Sequence, residues 1–402
     1  MKFRRSKQSG GEEIVNRRYY EVAGSFRMVR HVSLVFLTVF LFCMYFMYSS
    51  SLSVDHFKYL LRNLEFSPST MFSLGDSIYI DSDSTSKCVG YKGGLAVLSG
   101  DKISLYDMTS STTLSEYHGY RDADMVVSDK YMLVYDRKSS EYSVYSAFSR
   151  LGSFKTERAV RLAALADDGT HLIVCDDSEY YSSVFVYNSN FKIINRIDKY
   201  KYVTAADITK DGKMIAVASS YVGESGSFVS EVMLLGAGKS DASEIITVDG
   251  MLIYDIEFFS NGSFVLIGDT SMRFYTAKGE YNDSVSYAHG FPDYYEINED
   301  HIIFAYDKDP VKRKTALVAY DRRGEQVSYT ELDGCFKDMV STTHEVYVLL
   351  DSSVARVSVM SGKVGYDDLP VNKDKIACVT LVRGANEDVY IYTGTLAKKV
   401  SK

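Results

Sequence analysis

From residue 78 onward, the chain consists of short apolar runs separated by Gly, Asp, Asn and Ser, without an extended helical period. Three segments repeat one phrase in which Asp-Gly or Asn-Gly separates two apolar runs; they span residues 164–177, 207–220 and 257–270. Gly supplies the positive φ that a tight hairpin turn requires, so this arrangement is a strong hairpin signal. The pattern predicts an all-β domain built from successive hairpins.

Each of these hairpins is followed by a third apolar run and then by a fourth, more polar run, which defines a four-stranded unit. Extending the unit in both directions predicts eight first strands, which begin near Lys87, Asp124, Arg161, Thr204, Tyr254, Tyr294, Phe336 and Ala377. The intervals between these starting points run from 37 to 50 residues. A period of about 40 residues with four strands per repeat is typical of a β-propeller blade.

The two ends of the repeat array predict how the ring closes. The last unit lacks a fourth strand, whereas an extra strand-like run at residues 77–81 precedes the first unit. Pairing this run with the last unit would remove exposed sheet edges. We therefore predict a β-propeller over residues 77–402 with eight four-stranded blades, or seven if one weak unit is not a blade.

The N-terminal region carries a different signal. Residues 1–30 contain eight basic and three acidic residues, whereas the 23 residues of 32–54 carry no charge. A helix of that length would be about 34 Å long, enough to cross a hydrocarbon core of about 30 Å. The basic residues that flank a membrane span usually remain in the cytoplasm. The pattern therefore predicts a cytoplasmic tail over 1–30, a transmembrane helix over 31–52 and an extracytoplasmic remainder.

Two alternatives accompany this membrane segment. Ser49, Ser50 and Ser51 follow the apolar run and would suit a cleaved signal peptide, but the run exceeds the usual apolar core of such peptides. Residues 53–76 are predicted to form a stem helix and linker, with Phe57, Leu60, Leu61 and Leu64 on one helical face. We favour a stem over a helix that docks on a protein or a lipid.

The net charge of the chain indicates which kind of partner is not expected. The net charge is −8, and because residues 1–30 carry +5, the remaining residues carry −13. Nucleic acid is therefore not expected as a partner, since phosphate binding requires a basic surface. The five Cys do not form a disulfide framework. Cys88, Cys335 and Cys378 fall in predicted first strands and Cys175 in a second strand, and we expect free thiols.

Motifs for catalysis or metal binding are weak. Residues 84–87 fit S-x-x-K but lack the companion motifs S-D-N and K-T-G. Asp81 and Asp83 could offer oxygen atoms to Ca²⁺, yet a calcium loop needs further carboxylates at fixed offsets. His118 and His289 each precede a Gly near the end of a fourth strand, where a structural hydrogen bond is expected. We predict no catalytic, cofactor-binding or metal-binding residue, and no cofactor.

The composition includes 33 Tyr and no Trp. Many of these tyrosines fall in predicted strands: Tyr131, Tyr135, Tyr142, Tyr145, Tyr187, Tyr275, Tyr306, Tyr320, Tyr347, Tyr390 and Tyr392. They could form an aromatic platform for glycans or peptides, or they could reflect the preference of aromatic residues for strands, which we favour. The irregular insertion at residues 220–231 could be a functional loop or a flexible hairpin tip.

The sequence resembles two known groups of proteins. Residues 210–218 resemble a turn of the WD40-like and quinoprotein-like propeller repeats, although the Trp-Asp and Gly-His dipeptides of WD40 blades are missing. The order of tail, span, stem and propeller resembles that of an uncharacterised family of membrane-anchored propeller proteins from clostridia-like Gram-positive bacteria. The similarity is carried by residues 52–55, 118–120 and 133–137. That resemblance covers nearly the full length, implies an anchored propeller and transfers no catalytic residue.

Three functions are compatible with these observations. We favour an extracytoplasmic scaffold that binds an unknown protein or peptide at the cell envelope, anchored by residues 32–54. The alternatives are an extracytoplasmic ligand sensor and an enzyme of quinoprotein or hydrolase type. The sensor would have a cytoplasmic part of only about 30 residues. The enzyme would need convergent carboxylates, Arg or a metal in the propeller channel, which the sequence does not assemble. The oligomeric state is not predicted.

Overall fold

The computed structural model describes part of the chain in detail: residues 29–40, 77–80, 87–92, 94–107, 110–287, 291–292, 294–309, 311–369, 380–384 and 387–400. The chain divides into two units, Met1–Phe66 and Ser67–Lys402. In the first unit, residues 29–40 form helix α1. Among the described residues, no helix is both long and apolar enough to cross a bilayer. The predicted span over 31–52 continues beyond residue 40, and the predicted stem over 53–76 lies outside the described residues.

In the described part of the second unit, the strands form eight four-stranded antiparallel sheets, which are the predicted blades. Blade 1 comprises β2 (Lys87–Tyr91), β3 (Gly94–Leu98), β4 (Lys102–Tyr106) and β5 (Thr112–Tyr117). Blade 2 comprises β6 (Ala123–Val127), β7 (Met132–Asp136), β8 (Glu141–Tyr145) and β9 (Arg150–Lys155). Blade 3 comprises β10 (Val160–Leu165), β11 (His171–Asp176), β12 (Ser182–Tyr187) and β13 (Ile193–Lys199). Blade 4 comprises β14 (Tyr202–Ile208), β15 (Met214–Val222), β16 (Phe228–Gly236) and β17 (Glu244–Asp249).

The second half of the ring repeats this order. Blade 5 comprises β18 (Ile253–Phe258), β19 (Phe264–Gly268), β20 (Ser271–Tyr275) and β21 (Tyr281–Ser286). Blade 6 comprises β22 (Tyr294–Ile297), β23 (His301–Asp309), β24 (Lys314–Asp321) and β25 (Gln326–Asp333). Blade 7 comprises β26 (Phe336–Ser341), β27 (Glu345–Leu350), β28 (Ser353–Ser358) and β29 (Val364–Asp368). Blade 8 comprises β30 (Thr380–Arg383), β31 (Val389–Tyr392), β32 (Leu396–Lys399) and the N-terminal strand β1 (Ser77–Tyr79).

The eight-bladed prediction is confirmed, and the seven-bladed alternative is wrong. Seven predicted first strands begin within two residues of the observed ones. The eighth predicted start, Ala377, lies outside the described residues, and the described strand there begins at Thr380.

The predicted ring closure is also confirmed. Strand β1 pairs with β32 in antiparallel register, with Ser77 opposite Lys398 and Ile78 opposite Ala397. The amide of Ile80 extends the pairing by donating to the carbonyl of Thr395 at 2.9 Å. The N-terminal strand therefore supplies the outer strand of the last blade and connects the two ends of the ring.

The apolar core lies between blades. Within the described residues, eight apolar clusters are found, and each combines residues of two neighbouring blades. Second strands such as β7 and β19 are buried along their whole length, whereas the outer strand β21 is mostly exposed. This gradient explains why the fourth run of each sequence unit is more polar, since only the inner strands are covered on both faces.

The hairpin turns have the positive φ that was expected at Gly, but they are not primed turns. Gly169, Gly212 and Gly262 have φ of 91°, 70° and 81°, whereas the Asp or Asn before each of them does not adopt positive φ. In the first of these turns, the amide of Gly169 donates to the carbonyl of Ala166 at 3.1 Å. This geometry is a three-residue loop in which Gly follows a type I turn, which also requires positive φ at Gly.

One glycine allows the first and last blades to approach each other. A Cβ at Gly90 of β2 would lie 1.7 Å from the carbonyl oxygen of Arg383 in blade 8. We predict that Gly90→Ala lowers the free energy of unfolding by about 3 kcal/mol, because two backbones must separate. Gly100→Ala is the control, since a Cβ there meets no atom within 4 Å. Thermal unfolding measures both; equal melting temperatures would contradict this close approach.

Candidate functional site

The first strands surround the central channel and share a local irregularity. In blades 3, 4, 5 and 7, the pairing of the first with the second strand shifts register near its start. The unpaired residues are Arg161, Thr204, Tyr254 and Lys337. A bulge of this kind re-aims a side chain and is common beside binding sites. At this rim of the channel, the bulged side chains therefore do not follow the regular alternation of a β-strand.

Two cavities lie against these first strands. Their volumes are about 810 Å³ and 850 Å³. Both are bordered by Gly90 of blade 1, Asp129 of blade 2 and Glu257 of blade 5, so they share part of their walls. The volumes fall in the range of small-ligand or side-chain binding sites.

Five carboxylates lie on the channel strands of blades 4 to 7: Asp207 on β14, Asp255 and Glu257 on β18, Glu296 on β22 and Asp338 on β26. Three of them connect neighbouring blades. Asp207 accepts a hydrogen bond from the amide of Phe258 at 3.0 Å, and Asp338 accepts one from the amide of Leu381 at 2.7 Å. Asp255 accepts a hydrogen bond from the hydroxyl of Tyr295 at 2.6 Å. These three carboxylates therefore help to hold the first strands in the ring.

Burial in the channel raises the pKa of every member of this group. It raises the pKa of Asp207 to about 7. Burial, reinforced by the charge of Asp338, raises the pKa of Glu296 to about 8. The pKa of Glu257 rises well above its ordinary value through burial and the charges of Asp207 and Asp255. All five side chains keep some contact with the channel solvent, which moderates the energetic cost of ionising them.

Glu257 and Glu296 differ from the other three carboxylates. Within the described residues, no group donates a hydrogen bond to either side chain. Arg383 lowers the pKa of Glu296 only partly, and its guanidinium forms an ion pair with Glu387. The channel thus contains two carboxylates whose charge is poorly compensated by their surroundings.

Two cations at the rim form ion pairs. Lys87 pairs with Asp124 at 2.6 Å, and Arg161 pairs with Asp176 at 3.2 Å. These pairs reduce the positive potential at the rim, so that neither cation compensates the carboxylates of the channel when those ionise.

The turns between second and third strands lie at one end of the propeller, which we call the loop face. Two hairpins there are longer than their neighbours. Strands β15 and β16 of blade 4 have nine residues each, and β23 and β24 of blade 6 have nine and eight. The corresponding strands β19 and β20 of blade 5 have five each.

The pair Val203–Ser219 in blade 4 corresponds to Ile253–Gly268 in blade 5, because each directly precedes the bulge. Strand β15 then continues for three residues to Val222, whereas β19 ends at Gly268. At about 3.3 Å per residue, the hairpin of blade 4 extends about 10 Å further. The two long hairpins therefore flank the shorter blade 5 on the loop face.

Aromatic side chains are exposed near these hairpins. The rings of Tyr181 and Tyr202 are stacked, with centroids 5.0 Å apart, although the residues are 56% and 53% exposed. Tyr180 and Tyr200 lie 4.7 Å apart, and Tyr254 meets Phe291 edge-on at 5.4 Å. We call this set the aromatic surface: Tyr180, Tyr181, Tyr200, Tyr202, Tyr254 and Phe291. It lies in turns and strand starts of blades 3 to 5 and in the connection to blade 6.

The sequence pointed to other tyrosines. Of the tyrosines in predicted strands, all but the part-buried Tyr320 are buried in the core: Tyr131, Tyr135, Tyr142, Tyr145, Tyr187, Tyr275, Tyr306, Tyr347, Tyr390 and Tyr392. The interpretation as strand residues therefore holds for them, except that Tyr131 directly precedes β7. The aromatic surface was missed, because its tyrosines fall in turns or at strand starts. The available signal was two Tyr-rich turns, at residues 180–181 and 200–202. The insertion at 220–231 forms the extended part of the blade 4 hairpin.

The other candidate residues have structural contacts or lie outside the described residues. The amide of Tyr120 donates to Nδ1 of His118 at 3.0 Å, which fits the expected structural role. Cys88, Cys175 and Cys335 are free thiols; Cys88 and Cys175 occupy the predicted strands, and Cys335 directly precedes β26. Outside the described residues lie Asp81, Asp83, Ser84, His289 and Cys378. In the described parts of the chain, no group of three or more His, Cys, Asp or Glu is placed to hold a metal ion.

Comparison with known proteins defines the family. The chain belongs to the family of unknown function DUF5711, whose profile matches residues 69–398. No curated protein matches the chain. The crystal structure of BamB from Moraxella catarrhalis is similar, with a TM-score of 0.55, 12% sequence identity, and coverage of 81% of this chain and 98% of that chain. At this identity the likeness concerns the fold alone.

Proposed function

We propose that this DUF5711 member is a membrane-anchored, extracytoplasmic scaffold that binds a protein or peptide partner on its loop face. The observation that carries the proposal is the aromatic surface, which lies on the loop face along blades 3 to 5 and the connection to blade 6. Five of its six residues are at least 46% exposed, including Tyr200 at 68%. Exposed aromatic side chains in contact with one another are unusual in an isolated soluble domain and typical of interaction sites.

The geometry of this surface suits a protein partner. Tyr and Phe combine a large contact area with few rotatable bonds, so that little conformational entropy is lost when they are covered. The stacked and edge-on pairs restrain the rings before a partner arrives, which lowers this loss further. The hairpins of blades 4 and 6 would limit sliding of the partner across blade 5. The surface is therefore organised as a binding site without a requirement for catalysis.

The proposed location rests on the N-terminal sequence. Residues 32–54 carry no charge, and the flanking residues 1–30 carry +5. Helix α1 covers the beginning of this apolar segment. A basic flank followed by an apolar segment favours a retained anchor with the propeller outside the cytoplasm. In that arrangement the acidic propeller would display its loop face to proteins of the cell envelope.

The proposal predicts a loss of partners when the aromatic surface is removed. In Tyr181→Ser combined with Tyr202→Ser, the recovery of partners that co-purify after reversible cross-linking should fall at least tenfold, because two aromatic contacts of more than 1 kcal/mol are lost. Protein abundance and melting temperature should change little, since both side chains are exposed.

The matched control combines Phe148→Ser and Tyr281→Ser, which are each 56% exposed and lie away from the loop face. The control should retain the partners. Equal losses in the two double variants would contradict a binding site on the loop face.

A further inference from the structure

The charge of the channel next to the aromatic surface points to the chemistry of the partner. We propose that the partner presents an extended peptide segment with a lysine or arginine, whose cationic group enters the channel beside Tyr254 and pairs with Glu257. This inference rests on the proposed function, because it concerns the same loop face. It adds the chemical class of the segment that binds there.

A single strand connects the aromatic surface with the channel. Tyr254 is the bulge residue of β18 and borders the 850 Å³ cavity, and Asp255 and Glu257 of the same strand also border it. Three residues separate Tyr254 from Glu257, which corresponds to about 10 Å along the strand. A long side chain that leaves a peptide at Tyr254 would therefore point along β18 towards Glu257.

The carboxylates select a positive charge. The described hydrogen-bond donors to Asp207, Asp255 and Asp338 are backbone amides and one tyrosine hydroxyl, which are all neutral. Glu257 has no described donor, and neighbouring carboxylates act on it. An ammonium or guanidinium group would supply the missing donors and reverse the unfavourable potential. An anionic or neutral side chain would leave that potential unchanged.

Three described cations near the channel are not recorded as partners of Glu257. Arg161 is tied to Asp176 and lies 6.0 Å from the ring centroid of Tyr202. Lys337, the bulge residue of blade 7, lies two blades away from Tyr254 in the ring. Arg383 is paired with Glu387. Within the described residues, no cation is recorded as a partner of Glu257, so a cation from another molecule could pair with it.

The rest of the loop face fits an extended segment. The long hairpins rise on both sides of blade 5, which leaves a path that crosses the start of β18. Aromatic rings along this path can contact the aliphatic stem or the charged head of a lysine or arginine. The hairpin of blade 4 already shows such a contact, because Nζ of Lys201 lies 3.9 Å from the ring centroid of Tyr221.

The test uses the full chain in detergent micelles and three fluorescent nonapeptides. Each peptide alternates Tyr and Leu with Ser and carries a central Lys, Gln or Glu; binding is followed by fluorescence anisotropy. The Lys peptide should bind at least tenfold more tightly than the Gln peptide, and the Glu peptide most weakly. In Glu257→Gln, the ratio between the Lys and Gln peptides should fall to about one. Glu280→Gln, at an exposed turn of the same blade, should keep the wild-type ratio.

Two further variants keep the result interpretable. Tyr254→Ser should weaken the Lys and Gln peptides by a similar factor, because it removes an aromatic contact and leaves the channel charge. Glu257→Gln retains the side-chain volume, and its melting curve reports whether it is folded. If it does not fold, Glu296→Gln replaces it, and the Lys-to-Gln ratio should then fall at least threefold.

Equal binding of the Lys and Gln peptides to the wild type, or an unchanged ratio in the folded glutamate variant, would overturn the inference. Absence of binding by all three peptides at millimolar concentration would overturn it as well. If the Tyr181→Ser and Tyr202→Ser double variant still loses its partners in cells, the proposed function stands while this inference fails. If that double variant also keeps its partners, both fail.

Discussion

Raising the pH from about 5.5 to about 9 is expected to lower the free energy of unfolding of the propeller by about 3 kcal/mol. Burial raises the pKa of Asp207 to about 7 and that of Glu296 to about 8, and it also raises the pKa of Glu257. Between the ordinary carboxyl pKa and these values, the folded chain binds more protons than the unfolded chain. Stability is therefore greatest at the acidic end of this window and falls as the pH passes through the folded pKa values.

Substituting the channel glutamates with glutamine distinguishes their contribution to the pH dependence of stability from that of other titratable groups. Glu257→Gln and Glu296→Gln should each raise the melting temperature at about pH 9 by a few degrees and change it little at about pH 5.5, because the native side chain is protonated there. Glu280→Gln should have no effect at either pH. Melting followed by circular dichroism in matched buffers gives the comparison. A wild-type stability that rises between these two pH values would contradict the raised pKa values.

The second large effect concerns ring closure. Replacing Ile78 with Asp should lower the free energy of unfolding by about 4 kcal/mol or more, because it removes a buried side chain and introduces an unpaired carboxylate. Ile78 is 0% exposed and packs with Leu95 and Val97 of blade 1 and Tyr390 of blade 8. The substitution therefore separates the first and last blades as well as the pairing of β1 with β32.

The adjacent residue provides the control for this prediction. Tyr79 belongs to the same strand but is 71% exposed, so Tyr79→Asp should change the free energy of unfolding by less than about 1 kcal/mol. Chemical unfolding monitored by tyrosine fluorescence reports both variants. Similar unfolding of Ile78→Asp and Tyr79→Asp would contradict closure of the ring by the N-terminal strand.

The sequence was sufficient to predict the fold because the blades are locally encoded. The turns at Gly169, Gly212 and Gly262 mark hairpins, and apolar runs on both sides mark strands that are covered by neighbouring blades. Even the closure by β1 followed from the missing strand in the last unit. These signals depend on residues that are close in sequence, which is why simple periodicity reveals them.

The channel and the aromatic surface could not be predicted in the same way. Asp207, Glu257 and Glu296 belong to three blades, and only ring closure brings their strands to one channel. Their sequence neighbours are apolar strand residues, so that each carboxylate alone resembles an ordinary exposed position. Tyr181 and Tyr202 are separated by two entire strands, β12 and β13, and their stacking depends on how two blades meet. Such sites arise from packing between repeats, which a linear pattern does not contain.

The most direct measurement of the proposed scaffold function is site-specific photo-cross-linking in intact cells. A photoreactive phenylalanine at position 202 samples the aromatic surface, and the same residue at position 281 samples an exposed outer strand. Discrete cross-links to an envelope protein are expected from position 202, and none of these from position 281. The same products from both positions, or cross-links from position 202 to cytoplasmic proteins alone, would contradict an extracytoplasmic binding site on the loop face.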